Sequence, residues 1–361
     1  MSYSAGATDV SSMRALVIHR HGGSDVLTLE REWPRPVPGP GEILVKVKAC
    51  ALNFLDIFTR EGMPGEVTPL PQITGGDVAG VVHAVGDGVV RPAVGDRVLL
   101  DPSWGCGTCE YCSAGHRPRC LRPRMLGERD PGGLAEYVKC PAAQAIALPH
   151  GYSFDDAACL PVTFGTAWRM LRRASVEPDD VVVVLGAGGG VAIAAIQIAR
   201  LMGARVIATA STDEKLAHAC ELGADHVINY VVQPEWDTVV RGLTGKRGAD
   251  VIVETVGAST WAESIRALGK GGRLVTCGAT GGPIGQTDIR YLFRREQTLI
   301  GSNGWTHNEL LRVASLAFQG KLRPVIDRVL PLERAAEGEI ALERREVFGK
   351  VIIHPEEPDA A

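Results

Sequence analysis

The pattern of hydrophobic and polar residues changes near position 160 of this 361-residue chain. Before that point, apolar and polar residues alternate in short runs that end in glycine turns, as in EILVKVKACAL, DVAGVVHAVGDGV and AVGDRVLL. Alternation with a period of two is typical of strands that bury one face. Strands at this density predict a compact β-barrel-like domain.

Beyond Pro161, apolar strands alternate with helical segments. The run DVVVVLGAGG predicts a buried strand that enters a glycine turn, and VAIAAIQIARLMGA predicts the helix that follows. A helix over TDEKLAHACELGA comes after the next strand, with Thr212 or Asp213 as its N-cap. Nearly continuous Val, Ile and Leu strands between helices predict a parallel sheet covered on both faces.

These patterns divide the chain into four segments. Residues 1–12 are small and polar and predict a flexible tail, and residues 13–160 predict the β-rich domain. Residues 161–310 predict the α/β domain, and residues 311–361 mix a helix with strands that we expect to return to the first domain. The expected fold class is α/β, with one parallel-sheet domain and one β-rich domain.

Composition narrows the class of protein. A formal net charge of −4, with 45% hydrophobic and 22% charged residues, is typical of a globular protein and predicts no binding to nucleic acid or membranes. The N-terminus lacks a secretory pattern and glycines interrupt the longest apolar run, so we expect a cytoplasmic protein. Five scattered cysteines are expected to be buried free thiols: Cys50, Cys140, Cys159, Cys220 and Cys277.

The other four cysteines are clustered within fifteen residues, in CGTCEYCSAGHRPRC. Cys106, Cys109, Cys112 and Cys120 could close a tetrahedral zinc site that leaves no open position for water or substrate. Disulfides are the alternative, and a reducing compartment disfavours them.

The turn after the first strand of the α/β segment carries a nucleotide-binding pattern. Gly186, Gly189 and Ala192 are three residues apart between a buried strand and a helix. Small residues there let the turn close and let backbone N–H groups at the helix N-terminus reach a pyrophosphate. We therefore predict a dinucleotide site with contacts at Gly186, Gly189, Gly190 and Val191.

The end of the next strand indicates which dinucleotide binds. NAD-specific sites place a carboxylate there, against the adenosine ribose hydroxyls. Ala210 and Ser211 stand at that point in VIATASTDEK, and Lys215 follows one turn into the helix. The pattern favours NADPH over NADH, with Ser211 and Lys215 on the 2′-phosphate. An ordinary capped helix with exposed charge is the alternative.

Several segments spread over residues 13–354 carry a family pattern: ACALNFLDI, GGDVAGVVHAVGDGV, GGLAEYV, LPVTFGTAW, LGADHVINY and FGKVII. They resemble the medium-chain dehydrogenase/reductase superfamily, most of all its quinone oxidoreductase and zinc-type alcohol dehydrogenase-like branch. The resemblance implies a GroES-like catalytic domain and a Rossmann NADP-binding domain, with nicotinamide and substrate in the cleft between them. It also implies that the clustered cysteines, in a lobe over residues 104–122, hold one structural zinc per chain.

The catalytic zinc of the alcohol dehydrogenases has three ligand positions, and the resemblance puts them on Asn53, Gly76 and Val162. None of these side chains binds zinc, so no catalytic metal is expected. Cys50 and Cys159 are each three residues off register and are interpreted as packing residues.

Without that metal, alcohol oxidation lacks the Lewis acid that stabilises an alkoxide. Hydride transfer from NADPH to a quinone or an α,β-unsaturated carbonyl needs only hydrogen-bond donors for the developing oxyanion. We expect Asn53 to be that donor. Met63 and Pro64 stand where some relatives carry a tyrosine, so the proton source is open. Asp56 and Asp77 are candidate acids, and are equally suited to be structural partners.

The resemblance also assigns further residues to the cofactor. Thr166 is expected at the nicotinamide carboxamide, with the other contacts at the ends of successive strands or nearby: Val256, Gly278, Asn303 and Lys350. Tyr230 either packs on the adenosine or belongs to the core.

Two other functions stay open at this point. One is a zinc alcohol dehydrogenase with an unusual ligand set, which would hold two zinc ions per chain instead of one. The other is a protein that binds NADPH without catalysis, which would show no turnover with any electrophile. For the leading function we expect a small-molecule electrophile as substrate, and a homodimer or homotetramer that pairs through TLIGSNG.

Overall fold

The computed structural model describes residues 11–65 and 67–356. The predicted tail, residues 1–12, lies outside the described residues except for its last two positions. Ser12 is already the first residue of a strand.

The N-terminal half consists mainly of strands, as its alternating pattern predicts. Its strands are β1 (Ser12–Ile18), β2 (Leu27–Pro34), β3 (Glu42–Ala51), β4 (Gln72–Ile73), β5 (Asp77–Val85), β6 (Arg97–Leu100), β7 (Ser103–Trp104), β8 (Arg124–Met125), β9 (Tyr137–Pro141) and β10 (Ala145–Ala147). Its α-helices are short: α1 (Phe54–Glu61), α2 (Glu110–Ser113) and α3 (Phe154–Ala158).

Strand–helix alternation follows, also as predicted. The helices are α4 (Thr166–Arg173), α5 (Gly190–Leu201), α6 (Asp213–Glu221), α7 (Trp236–Leu243), α8 (Ala258–Ala267), α9 (Ile289–Arg295) and α10 (His307–Phe318). The strands are β11 (Val181–Val184), β12 (Arg205–Ala210), β13 (His226–Asn229), β14 (Ala249–Glu254), β15 (Leu268–Thr276) and β16 (Thr298–Gly301).

These strands, β11 to β16, form a parallel sheet in the order β13-β12-β11-β14-β15-β16. Counted from its first strand the order is 3-2-1-4-5-6, which is the Rossmann order. The order reverses between β11 and β14, and such sheets bind ligands in the crevice at this switch point. The expected Rossmann-type α/β fold is confirmed.

The C-terminal segment joins the first domain. It contains β17 (Ile326–Pro331), α11 (Ala335–Glu343) and β18 (Lys350–His354). The large sheet of that domain runs β10-β6-β5-β3-β18-β17, and β9 also pairs with β3. Because β18 lies beside β3, residues from opposite ends of the chain meet at one edge of the cleft.

Strand β3 illustrates how the alternating pattern becomes a core. Ile43, Val45 and Val47 are fully buried, while Lys46 and Lys48 remain partly exposed. Burying an aliphatic side chain of this size stabilises the fold by about 1.5–3 kcal/mol.

A π-helix over Leu160–Gly165 leads from the first domain directly into α4. Helical turns of this kind are frequent at functional sites, and this one borders the cleft through Val162 and Thr163. Across the described ranges, we find no helix that combines the length and apolar character needed to cross a bilayer.

Candidate active site and cofactor cleft

A cavity of about 850 Å³ lies between the β-rich and α/β domains. Asn53 lines it, and so does every residue predicted for the cofactor: Thr166, Gly186, Gly189, Gly190, Val191, Ser211, Lys215, Tyr230, Val256, Gly278, Asn303 and Lys350. The volume falls in the usual range for small-molecule sites, about 300–1,000 Å³. The fold thus brings residues from positions 53 to 350 to one cavity.

The glycine turn forms the floor of this cavity. Gly186 has φ +66°, a left-handed conformation that favours glycine, and its carbonyl accepts a hydrogen bond from the Gly189 N–H at 2.9 Å. A Cβ on Gly190 would lie 2.6 Å from Cγ2 of Thr163, so only glycine fits against the π-helix. The N-cap of α5 is Gly189, which has no side chain to accept hydrogen bonds from the first N–H groups of the helix. The first N–H groups of α5 are therefore suited to bind a pyrophosphate.

The adenosine end of the cleft carries positive charge and no carboxylate at the end of β12. Ala210 is almost fully buried there, beside Ser211. The Lys215 ammonium donates to the backbone carbonyl of Arg345 at 2.7 Å. Arg345 also lines the cavity and makes no ion pair with any described residue. Sequence reasoning missed Arg345, because it follows α11 and contacts Lys215 of α6 only in the folded chain.

The opposite end is bordered by Thr166 and by a tryptophan that sequence reasoning also missed. The indole N–H of Trp305 donates to Asp101 at 3.1 Å, and the ring lies against Gly165, next to Thr166. Phe54, Leu55, Phe58 and Met63 add an apolar wall. The cavity is therefore positively charged at the adenosine end, and an apolar wall borders the end near Thr166.

Asn53, Asp77 and Lys350 form a buried polar group on the cavity wall. The Lys350 ammonium lies 2.6 Å from Oδ1 of Asn53 and 3.2 Å from Oδ2 of Asp77. The Asn53 amide donates to Oδ2 of Asp77 at 3.0 Å and to the carbonyl of Ala51 at 3.2 Å. Both N–H groups of Asn53 are therefore engaged within the protein, and this geometry does not favour the predicted role of Asn53 as oxyanion donor.

The two candidate acids serve as structural partners. Asp56 accepts from the backbone N–H of Asn53 at 2.7 Å, which closes a capping box on α1, and from the N–H of Gly75 at 2.9 Å. Asp77 accepts from the backbone N–H of Val162 at 2.9 Å. Burial raises the pKa of Asp56 to about 6, against the effect of these N–H donors. Burial likewise raises the pKa of Asp77, against the opposing effect of Lys350.

Positions 53, 76 and 162, which the resemblance aligns with the ligands of a catalytic zinc, carry an amide, a hydrogen atom and an isopropyl group. These groups do not form a zinc ligand set. Cys50 and Cys159 are fully buried and their thiol pKa values are raised by burial, in agreement with a packing role.

The four clustered cysteines form a compact group beside β7 and β8. Their Sγ atoms lie within 4.8 Å of one another, and within the described ranges no other His, Cys, Asp or Glu group of three or more could hold a metal ion. The Sγ atoms of Cys109 and Cys120 are 3.8 Å apart, which is the edge of a tetrahedron of sulfurs at about 2.3 Å from zinc. A disulfide needs about 2.05 Å. The donor set fits a closed zinc site.

The prediction of buried thiols holds for three of the five scattered cysteines and is wrong for Cys220. That side chain is exposed, because α6 turns Leu216 and Ala219 to the core and Cys220 to solvent. Cys277 is half-buried and lines the cavity, and burial raises its pKa to about 12.

Comparison with known families agrees with this architecture. Residues 39–150 match the alcohol dehydrogenase GroES-like domain, and residues 190–319 match the zinc-binding dehydrogenase family. The chain belongs to the medium-chain dehydrogenase/reductase superfamily. It is therefore an NAD(P)H-dependent oxidoreductase by family.

Three relatives carry different activities in their names. An NAD-dependent alcohol dehydrogenase of Sulfolobus acidocaldarius is 33% identical, over 94% of this chain and 99% of its own. An acryloyl-coenzyme A reductase of Metallosphaera sedula is 31% identical, over 94% of this chain and 99% of its own. A quinone oxidoreductase of Sus scrofa is 31% identical, over 96% and 99%.

Solved structures show the same range of names. A structure named NAD-dependent alcohol dehydrogenase is 45% identical, with a TM-score of 0.91 over 95% of this chain and all of that one. A 2-octenoyl-CoA carboxylase reductase, in complex with NADP and 2-octenoyl-CoA, is 28% identical. Its TM-score is 0.88, over 96% of this chain and 89% of that one.

Proposed function

We propose that this protein transfers a hydride from NADPH to a quinone or an α,β-unsaturated carbonyl compound, without a catalytic zinc. One observation carries the proposal: Asn53, Asp77 and Lys350 form a hydrogen-bonded polar group on the cavity wall, and the positions aligned with zinc ligands lack metal-binding side chains. Relatives named acryloyl-CoA reductase and quinone oxidoreductase support this reaction class.

NADPH is the proposed cofactor because of the charge at the adenosine end. Ser211 can donate a hydrogen bond, and Lys215 and Arg345 supply two cations on the same wall. Asp213, the acid nearest in sequence, accepts from Asn229 at 2.7 Å. A 2′-phosphate suits this set better than a pair of ribose hydroxyls.

The bound nicotinamide would supply the hydride, and the chain would hold both reactants in line. The N-terminus of α5 would hold the pyrophosphate, and Thr166 would orient the nicotinamide beside Trp305. The apolar wall of Phe54, Leu55 and Phe58 would bind the carbon skeleton of the acceptor and exclude water. The zinc held by the cysteine cluster would stabilise its lobe and take no part in the chemistry.

A panel of substrates tests the proposal. Purified protein is assayed with NADPH and NADH against quinones, enones and an enoyl-CoA thioester, and with NADP⁺ against simple alcohols, each with and without chelator. We expect reduction of at least one conjugated acceptor with NADPH, unaffected by brief chelation, and slow alcohol oxidation. Fast, chelator-sensitive alcohol oxidation without any activity on conjugated acceptors contradicts the proposal.

A zinc alcohol dehydrogenase with unusual ligands is the second candidate, since several relatives are named NAD-dependent alcohol dehydrogenase. Zinc content separates the two: one ion per chain favours the first candidate and two favour the second. A protein that binds NADPH and turns over no electrophile would support the non-catalytic alternative.

We also propose that the protein is cytoplasmic and forms a homodimer or homotetramer. Strand β16 is the outer strand of the parallel sheet, and apolar side chains are exposed on it and just before it: Ile284, Ile289, Phe293 and Leu299. An exposed strand edge beside apolar residues is suited to pairing with a second copy. The mass in solution, with Phe293→Glu as the disrupting variant, tests this contact.

A further inference from the structure

We infer that Glu128 selects the acceptor by its charge. The Glu128 carboxylate borders the apolar part of the cavity, where it repels acceptors that carry a negative charge and attracts those that carry a positive one. The inference rests on the proposed function and deepens it, because it narrows the acceptor to conjugated carbonyl compounds that carry no negative charge near the reacting group.

The first argument is the position of the loop over residues 125–128. It packs directly on the segment before β5, where a Cβ on Gly127 would lie 2.8 Å from the backbone nitrogen of Gly75. The N–H of Gly75 donates to Asp56 of α1 at 2.9 Å. Because the first turn of α1 supplies Phe54 to the apolar wall, the loop borders the same end of the cavity.

Met125, in the same loop, supports this placement. A Cβ on Gly76 would lie 3.6 Å from Cε of Met125 and 3.1 Å from the carbonyl oxygen of Leu126. Gly76 is a position that the resemblance aligns with a ligand of the catalytic zinc, and such a metal polarises the reacting oxygen of the substrate. Met125 and Glu128 therefore border the cavity on the side where the acceptor would react.

The second argument is that Glu128 is the charged side chain of that end. Of the five charged residues that line the cavity within the described ranges, the other four lie on the cofactor side. Lys215 and Arg345 are at the adenosine end, and Lys350 lies against the glycine turn. Glu263 belongs to α8, in the α/β domain. An acceptor on the apolar wall thus meets one charged side chain, and its charge is negative.

The third argument is that the carboxylate is held in place. The Glu128 carbonyl accepts from Nε2 of the buried Gln72 at 2.9 Å, and its N–H donates to the Met125 carbonyl at 3.3 Å. Oε1 of Glu128 lies 3.4 Å from Nε of Arg129, and the Glu128 side chain is only 17% exposed. Arg129 is not among the residues that line the cavity, so an acceptor meets the carboxylate before the guanidinium.

Coulomb's law gives the size of the effect. Two like charges about 7 Å apart, at an effective dielectric constant of about 20, repel each other enough to weaken binding by roughly 50-fold. Arg129 offsets part of this repulsion, and solvent screens more of it. We therefore expect roughly 10-fold discrimination against an acceptor that carries one negative charge.

The test uses three acceptors that share the skeleton of benzylideneacetone, an enone, and differ at the para position of the ring. They carry a carboxylate, its methyl ester or a trimethylammonium group. The kcat/KM with NADPH and the Kd for the protein–NADP⁺ complex are measured for the wild type, Glu128→Gln, Glu128→Lys and Glu32→Gln. Glu32 is exposed on β2, outside the cavity, so Glu32→Gln is the matched control.

In the wild type and in Glu32→Gln, we expect the carboxylate to bind roughly 10-fold more weakly than the ester, and the trimethylammonium compound to bind at least as tightly as the ester. Glu128→Gln should reduce the difference between carboxylate and ester to about threefold or less, and Glu128→Lys should reverse the order. A purely structural role of Glu128 would weaken binding of all three compounds alike. If Glu128→Lys folds poorly, the isosteric Glu128→Gln decides.

The outcomes separate the two proposals. If the wild type reduces the ester and the carboxylate equally well, or if Glu128→Gln leaves their ratio unchanged, the role assigned to Glu128 is wrong while the proposed function stands. If none of the three compounds binds the protein–NADP⁺ complex, the apolar wall is not an acceptor site and the inference is overturned. A wild type inert towards every quinone and enone overturns both.

Discussion

Ala210 sets the charge at the adenosine end of the cleft. It is almost fully buried at the end of β12, and Ser211 and Lys215 share its side of the cavity. A methyl group there leaves both the space and the potential for a 2′-phosphate, which a carboxylate would repel. Cofactor preference is therefore expected to depend on this one side chain.

Ala210→Asp is predicted to shift the ratio of kcat/KM for NADPH over NADH towards NADH by roughly 10- to 100-fold, which corresponds to about 1.4–2.8 kcal/mol. Ala210→Asn is the matched control, because it adds the same volume without the charge. Initial rates with both cofactors measure the ratio. A wild type that already prefers NADH, or an equal shift in both variants, would contradict the prediction.

At the scale of elements, a buried guanidinium joins α1 to α11. Arg60 is fully buried and donates to Glu339 at 2.7 Å, to the Gly22 carbonyl at 2.7 Å, and also to Glu343. Asn53 is the N-cap of α1, so this ion pair network fixes the helix next to the polar group of the cleft.

Arg60→Met is predicted to lower the free energy of unfolding by about 3–5 kcal/mol, because it leaves the buried carboxyl group of Glu339 without its cationic partner. Arg334→Met removes an exposed pair with Glu337 next to the same helix, and should cost less than about 1 kcal/mol. Urea denaturation followed by circular dichroism measures both. Similar losses of unfolding free energy in the two variants would show that the buried Arg60 network stabilises the fold no more than an exposed ion pair does.

Glu339, in α11, makes the free energy of unfolding depend on pH. Burial raises the pKa of Glu339 from 4.5 to about 7, so the folded state binds more protons than the unfolded state between these values. Stability is therefore predicted to fall as pH rises from 4.5 to 7, by at most about 1.4 kcal/mol per pH unit for this group.

Glu339→Gln should reduce the change of unfolding free energy with pH. The effect should be clearest above pH 6, because Asp56, with a pKa of about 6, is mostly ionised there. Unfolding free energies measured across pH 4.5 to 7.5 give the slope. Glu337→Gln, on the exposed side of α11, is the control and should leave the slope unchanged. An unaltered slope in Glu339→Gln would mean that Glu339 does not titrate in this range.

At the scale of the whole molecule, Asp101 joins the cysteine lobe to the α/β domain. It is fully buried and accepts from Arg117 of the lobe at 3.0 Å and from the Trp305 indole at 3.1 Å, and it lies 2.8 Å from Nδ1 of His307. Because Trp305 also borders the cavity, this carboxylate links the lobe to the cleft.

Cys112→Ser is predicted to release zinc and to lower the melting temperature, since metal binding at such a site contributes directly to folding. Hydride transfer per folded molecule should change little, because the sulfurs do not border the cavity. The exposed Cys220→Ser is the matched control. Metal analysis, calorimetry and single-turnover rates measure the effects. Loss of chemistry with fold and cofactor affinity intact would assign the zinc a catalytic role.

The sequence by itself determined the features that depend on local spacing. Period-two alternation predicted the β-rich domain, and apolar strands between helices predicted the parallel-sheet domain, while the family resemblance implied that these are GroES-like and Rossmann domains. Thr212 caps α6 as predicted. The glycine turn and the cysteine cluster were readable because their members lie within a few residues of one another. Local geometry constrains such groups before the chain folds.

Only the tertiary structure decided which distant residues meet. Lys350 contacts Asn53 and Asp77 across 297 and 273 residues of chain, and the backbone carbonyl of Arg345 accepts from Lys215 across 130 residues. One sequence carries no signal for such pairings, because they depend on β18 lying beside β3. For the same reason the sequence suggested Asn53 as a donor, and only the folded chain revealed that both of its N–H groups are taken.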